Sequence, residues 1–246
     1  MDRSSVSLEL RLIKEKITKR VSIAEKLTSS AWDPKLVEIP PGERFLVIAP
    51  HPDDDVIGCG GTLLKVVSMR KAVRICYLSL PSLDSPSKEE RIAEVQRSLK
   101  VVGVSEYSMN QQEFPASIKG VVDLIAPELE KWNPDCVLVP SPLENQSHHL
   151  MAFEGYIEAL RASKCQAATG LYEVWGLVVP NMTVDITSQM DQKLKSIAAH
   201  ASQVKVTDYV RMAMALNEYR AISSKSKGYA EAFLYLEKHD LLNMFP

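Results

Sequence analysis

The chain has 246 residues, 46% of them apolar and 24% charged, with a formal net charge of −2. That length suits one domain with a large core and is short for two. The near-neutral balance gives no electrostatic reason to expect nucleic acid or an anionic membrane as partner, and no apolar run reaches the roughly 18–20 residues of a membrane span.

Residues 1–20 carry charges throughout and lack the apolar stretch of a secretory leader. Over 6–29, Leu8, Leu10, Leu12, Ile13, Ile17, Val21, Ile23, Ala24 and Leu27 recur at helical spacing among charges, which predicts an amphipathic helix. Pro34, Pro40 and Pro41 then make an extended connector. Residues 1–40 are therefore expected to form a helical extension and linker, and 41–246 a single domain. Residues 45–49 form an unbroken apolar run, the pattern of a strand buried on both faces of a parallel sheet. A first crossover helix is expected over 61–71, a second strand over 73–80 and a loop over 81–86. The next helix spans 88–102, with Ser85 or Ser87 as cap and Gly103 as terminator. A weak strand at 107–114 precedes a helix at 117–132, which Pro127 is expected to kink or split. Residues 136–139 read as a short buried strand, 140–149 as a loop and 150–163 as a helix. A strand follows at 170–180 with a bend at Gly176, then an extended segment at 181–186, a helix at 188–201, and further elements at 207–221 and 229–233. This alternation predicts an α/β fold: a Rossmann-like three-layer sandwich with a mainly parallel sheet and right-handed crossovers.

Chemistry concentrates at the ends of two predicted strands. After the first come His51, Asp53, Asp54 and Asp55, then Gly58, Gly60 and Gly61. Three carboxylates in the crevice of an open α/β sheet are costly to desolvate without a cation among them. Imidazole and carboxylate together are ordinary zinc ligands. A polar turn with a capping Asp is the plainer alternative, disfavoured by the buried strand in front and the glycines behind. A metal site needs a further ligand, and the loop at 140–149 supplies His148 and His149 on the same sheet edge; either can meet His51. His200 and His239 lie in helical or terminal contexts. Cys59, Cys76, Cys136 and Cys165 have no Cys-x-x-Cys spacing and read as free thiols of a reducing cytoplasm, with Cys59 either packing at a helix start or acting as a ligand. The glycines do not fit Gly-x-Gly-x-x-Gly, since Leu63 occupies the last position, which argues against a dinucleotide.

From Ala49 through His51-Pro-Asp-Asp-Asp55 to Gly61, the chain resembles the Ala-His-Pro-Asp-Asp-Glu…Gly-Gly signature of the PIG-L/LmbE-like family of zinc-dependent N-deacetylases, with Pro50 inserted before the His and Asp55 where Glu is usual. Ser141-Pro-Leu-Glu144 aligns with a family pattern Pro-Leu-Glu-x-His-x-Asp-His. It places His149 at the zinc-ligand position, Gln146 where His is usual and His148 where Asp is usual. Arg91 and Glu94, Asp185-Ile-Thr187, Lys193, His200-Ala-Ser-Gln203 and Tyr229-Ala-Glu-Ala-Phe233 extend the likeness, while Leu78-Ser-Leu-Pro81 replaces a usual Thr-Asp-Gly. The resemblance implies that His51, Asp54 and His149 hold one zinc, or another divalent ion. It also implies a metal-bound water activated by Asp53 as general base and substrate binding by Arg91. At the two departures, the Gln146 amide can donate a hydrogen bond to the oxyanion, and the leaving amine takes its proton from protonated Asp53 or from His148. The implied substrate is an N-acetylated amino sugar or related small molecule, and a homo-oligomer is left open. Gln146 and His148 motivate one alternative, a catalytically impaired sugar- or nucleotide-binding protein on the same fold.

Overall fold

The structure is a computed structural model that describes residues 34–80 and 87–246. The expected helix at 6–29 and loop at 81–86 lie outside the described residues. Eight strands form one sheet: β1 (Lys35–Val37), β2 (Arg44–Ala49), β3 (Ala72–Tyr77), β4 (Glu106–Met109), β5 (Cys136–Pro140), β6 (Ala168–Tyr172), β7 (Met182–Asp185) and β8 (Ala230–Leu236). Their order is β1-β7-β8-β6-β5-β2-β3-β4. Every pairing is parallel except the two made by β8, which runs antiparallel between β6 and β7. Residues 35–37, expected to be connector, thus add the edge strand beside β7.

Strand alternation sorts the core into two apolar layers. Leu46, Ile48, Val137, Val139 and Leu171 face α3 (Ile118–Trp132), α4 (Ser147–Ala162) and α8 (Lys238–Met244). Phe45, Val47, Ala49, Leu138 and Tyr172 face α1 (Asp54–Ser68), α2 (Lys88–Val102), α5 (Met190–Ala198) and α7 (Tyr209–Ser224). A four-residue helix, α6 (Ala201–Val204), lies between α5 and α7. The three-layer α/β sandwich expected from the alternation is the observed architecture.

The chain leaves β2 for β3 and β4 on one side, then returns to β5 on the other side of β2. The ends of β2 and β5 therefore flank the reversal of strand order, where open α/β sheets present their ligand crevice.

Four local differences from the sequence expectation have physical causes. The first crossover helix begins at Asp54, not at residue 61, so Gly58, Gly60 and Gly61 are inside it, with a non-helical break at Cys59 (φ −141°, ψ 17°). Pro127 does not split α3: the helix buries Val121, Ile125 and Leu129, and Pro127 stands on the exposed face, away from that packing. The strand expected over 170–180 stops at Tyr172, because the amides of Val174, Trp175 and Gly176 all donate to the Glu144 carboxylate instead of to a neighbouring strand. A Cβ on Gly176 would meet the Leu143 carbonyl oxygen at 2.3 Å, so this approach requires glycine. Finally, α4 starts at Ser147, which puts His148 and His149 in its first turn and not in the loop before it.

Gly58 presses on the ring of Tyr172, whose hydroxyl donates to the Ile48 carbonyl at 2.8 Å; a Cβ at 58 would stand 2.3 Å from that ring. Gly60 has only ordinary contacts, the nearest at 3.4 Å. Gly58→Ala is expected to destabilise the protein by about 1–3 kcal/mol through overpacking. Gly60→Ala is expected to be neutral or stabilising through helix propensity. Denaturant midpoints of the two variants check this, and equal midpoints would contradict the packing account.

Candidate metal centre

β2 delivers the first half of the site. Its end leads through Pro50, whose carbonyl accepts from Ser79 Oγ at 2.7 Å, to His51. The turn at 51–54 is closed by Asp54: its Oδ2 accepts from the His51 backbone amide at 2.8 Å and stands 3.1 Å from His51 Nδ1. β5 and the first turn of α4 deliver the second half. His149 Nε2 lies 3.3 Å from the same Asp54 oxygen, and His149 Nδ1 lies 3.3 Å from Glu144 Oε2. Ligand atoms of His51, Asp54 and His149 all fall within 4.8 Å of one another, the one such cluster of three among the described residues.

The charges show what the cluster suits. Burial works against ionising Asp54, but the imidazoles of His149 and His51 outweigh it and hold its carboxyl well below the usual range. Burial likewise works against a charged His149, yet Asp54 and then Glu144 reverse this and raise it to about 10. The site favours positive charge at the point where these atoms meet. A proton on His149 supplies it in the metal-free protein. A divalent ion supplies it with both imidazoles neutral, and two nitrogens with one carboxylate oxygen form a usual zinc donor set. The residues present fit such an ion.

Asp53 is buried beside this point and makes no capping hydrogen bond to α1. Burial and the neighbouring Asp54 raise its pKa to about 6, against the opposing pull of Arg91, His51 and His149. Asp55 is set apart: it is fully buried, accepts from Tyr77 Oη at 3.0 Å, and is raised to about 7 chiefly by burial. It serves the packing below the site. Cys59 does too, since its Sγ donates to the Asp55 carbonyl and burial pushes its thiol well above the ordinary value. All four cysteines are free and buried.

Of the other expected site residues, Gln146 is the half-buried residue preceding α4, and its side chain makes no capping bond. His148 is half-buried; its Nδ1 is 3.0 Å from His51 Nε2, and burial followed by the neighbouring imidazoles lowers its pKa. Arg91 is buried, donates to Glu94 Oε2 at 2.9 Å and faces Asp53 electrostatically. Glu94 in turn accepts from the amide and hydroxyl of Ser202. His239 is exposed near the end of the chain, outside the cluster. His200 is buried, and neither ring nitrogen has a hydrogen-bond partner among the described residues. Burial, reinforced by Arg91, drops its pKa to about 3.

Two residues of the site carry no role in the sequence reading. Glu144 spans His149 and the loop amides at 174–176, and its signal was its place in the Pro-Leu-Glu pattern. Phe114 stacks on His148 with ring centroids 4.3 Å apart and planes 5° from parallel, and no local pattern marks it.

Fold and site together define an α/β protein with a three-donor cluster able to hold a cation at the strand-order reversal and a buried, weakly acidic carboxyl beside it. Residues 46–160 match the model of the PIG-L family, described as GlcNAc-PI de-N-acetylase, the family that the two motifs resemble. It is 28% identical over 190 residues to a diacetylchitobiose deacetylase of Thermococcus kodakarensis, covering 65% of this chain and 70% of that protein. Its structure is similar to the N,N'-diacetylchitobiose deacetylase from Pyrococcus horikoshii (TM-score 0.70, 25% identity, 80% of this chain and 85% of the other). It is similar also to the conserved protein TT1542 from Thermus thermophilus (TM-score 0.67, 25% identity, 77% and 93%). No helix among the described residues is long and apolar enough to cross a membrane.

Two outcomes follow from this geometry. His51→Ala and His149→Ala are expected to lower zinc affinity by several orders of magnitude in calorimetric titration, while Asp53→Asn binds zinc much as the wild type does. The second concerns His200, whose folded pKa of about 3 lies below the unfolded value of 6.5. Between those values only the unfolded state takes the proton, so stability falls as pH drops below about 6.5, by up to about 1.4 kcal/mol per pH unit from this group. His200→Leu is expected to flatten the pH dependence of unfolding by that increment, measured by denaturant unfolding of metal-free protein from pH 7 to 5. An unchanged slope would contradict a neutral buried His200.

Proposed function

We propose that the chain is a metal-dependent amidase that removes the acetyl group from an N-acetylated amino sugar or related small molecule. The observation that carries this reading is the convergence of His51, Asp54 and His149 beside a separate buried carboxyl, Asp53, whose pKa of about 6 leaves it mostly ionised at neutral pH. The deacetylases among the similar proteins support the substrate class. Four buried free thiols suit a reducing compartment such as the cytoplasm.

His51, Asp54 and His149 would hold the ion, with zinc the best match to their donor atoms. When bound, it supplies Lewis acidity, acidifying a water and polarising the amide carbonyl. The chain's own groups do the rest. Asp53 accepts the proton of the attacking water, a task suited to a carboxyl whose pKa lies close to working pH. The Gln146 amide can donate a hydrogen bond to the oxyanion but has no proton to transfer. The C–N bond breaks as the amine nitrogen gains a proton, returned by Asp53 or given by His148, and acetate and free amine leave. Arg91, held by Glu94, is the anchor for a substrate hydroxyl. Glu144 orients His149 from behind, as ligand histidines are commonly oriented by a carboxylate on their second nitrogen.

A second reading is favoured by one observation: Gln146 occupies the position where a proton-transferring side chain is usual, which suits a protein that binds sugars without hydrolysing them. Zinc-loaded protein is expected to release amine from at least one of a panel containing N-acetylglucosamine, diacetylchitobiose and N-acetylated glycolipid headgroups. Asp53→Asn is expected to retain zinc and lose on the order of 10²–10⁴-fold in kcat. Stoichiometric zinc uptake with no amine released from any of them would favour the binding protein.

A further inference from the structure

We propose that His148 is a positioning residue for the metal ligand His51: its Nδ1 accepts a hydrogen bond from His51 Nε2–H, and Phe114 clamps its ring. This rests on the metal-dependent reading of the site.

His51 has two neighbours, one on each ring nitrogen. Nδ1 faces Asp54 Oδ2 at 3.1 Å, the side on which His149 and Asp54 converge. Nε2 faces His148 Nδ1 at 3.0 Å. A neutral imidazole carries one N–H and one bare nitrogen. For Nδ1 to offer its lone pair to a cation, the proton must sit on Nε2, where it needs an acceptor. His148 Nδ1 is that acceptor, so it is bare and His148 carries its own proton on Nε2. One hydrogen bond thereby sets the tautomers of two rings.

The acceptor is itself held. The His148 ring is stacked on Phe114 at 4.3 Å and 5°, and Phe114 is a core residue, only 8% exposed, packed on the layer of α3 and α4. The His51 ring is 6.4 Å from Phe114 and 5.3 Å from His148, so the aromatic contact fixes the acceptor without covering the ligand. Metal-bound histidines usually give this second proton to a carboxylate or a carbonyl. A neutral ring does the same orienting work and adds no negative charge to a loop that already contains Asp53, Asp54 and Asp55. The same bond aims the His148 Nε2–H away from His51, where it is free to act as a donor.

Two amide variants separate the nitrogens. Asparagine places an oxygen near the position of Nδ1, and glutamine reaches instead to the position of Nε2. Zinc affinity, measured by competition with a chromophoric chelator, is expected to stay within about 3-fold of wild type in His148→Asn. It is expected to fall on the order of 10–100-fold in His148→Gln, as for loss of other outer partners of metal-bound histidines. Phe114→Leu should fall between them. In zinc-loaded wild type, imidazole nitrogen–proton correlation spectra are expected to show His51 protonated at Nε2 and not at Nδ1, a readout that does not depend on any variant folding. Equal affinities in the asparagine and glutamine variants, or a proton on His51 Nδ1, would overturn the role given to His148 and leave the metal-dependent reading intact. Wild-type protein that takes up no divalent ion would overturn both.

Discussion

Two halves of the chain meet on one oxygen atom. Asp54 Oδ2 takes the His51 backbone amide, faces His51 Nδ1, and faces His149 Nε2 from a segment carried by a different strand. That shared acceptor, together with the His51–His148 contact, ties the loop after β2 to the first turn of α4. A carboxylate held between two imidazoles favours positive charge at that point, which a proton on His149 or a bound cation can supply. Everything outward from it is support: Glu144 behind His149, His148 behind His51, and Asp53 and Arg91 to one side.

The support reaches deep into the fold through a second set of buried charges. Glu231, on β8, accepts from the amides of Gly61 and Thr62 and from Lys193, which also donates to Asn217. Lys193 and Glu231 are both fully buried at their side chains. Such a pair adds little net stability over apolar packing, but losing one partner leaves a bare charge and costs about 3–5 kcal/mol. Its position explains its use. The α1 helix breaks at Cys59, so the two turns after the ligand loop are not tied by regular helical bonds alone, and Glu231 holds the amides just beyond the break. The helix that starts with Asp54 is thus pinned from the far side of the sheet's strand order.

Much of this was legible in the chain, for reasons that differ from element to element. The α2 helix was readable to the residue because Ser87 and Gly103 are strong local signals, and both act as expected, Ser87 in a reciprocal capping box with Glu90. The two segments that build the candidate site were readable because clustered His and Asp directly follow strand patterns. What escaped was set by contacts distant in sequence. A strand through 170–180 is a sound expectation from its apolar content, yet three of its amides are claimed by Glu144, about thirty positions earlier. Glycines at 58, 60 and 61 look like helix breakers, but Gly58 and Gly61 are the means by which α1 lies close against Tyr172 and Ile186. Phe114, in a segment predicted only weakly as strand, acquires its role solely by meeting His148 across space.

The placement of β8 bears on when the protein can become competent as it is made. This strand comes last in the chain order, yet it inserts antiparallel between β6 and β7, well inside the sheet. Residues 51, 54 and 149 are all synthesised much earlier, and a nascent chain holding them has the donor atoms but not the closed scaffold. Until residues 230–236 arrive, β7 and β1 have no partner linking them to the rest of the sheet, and Gly61, Thr62 and Lys193 lack their carboxylate. The loop that opens the site is thus among the first parts made, while the carboxylate that fastens the helix behind it is among the last.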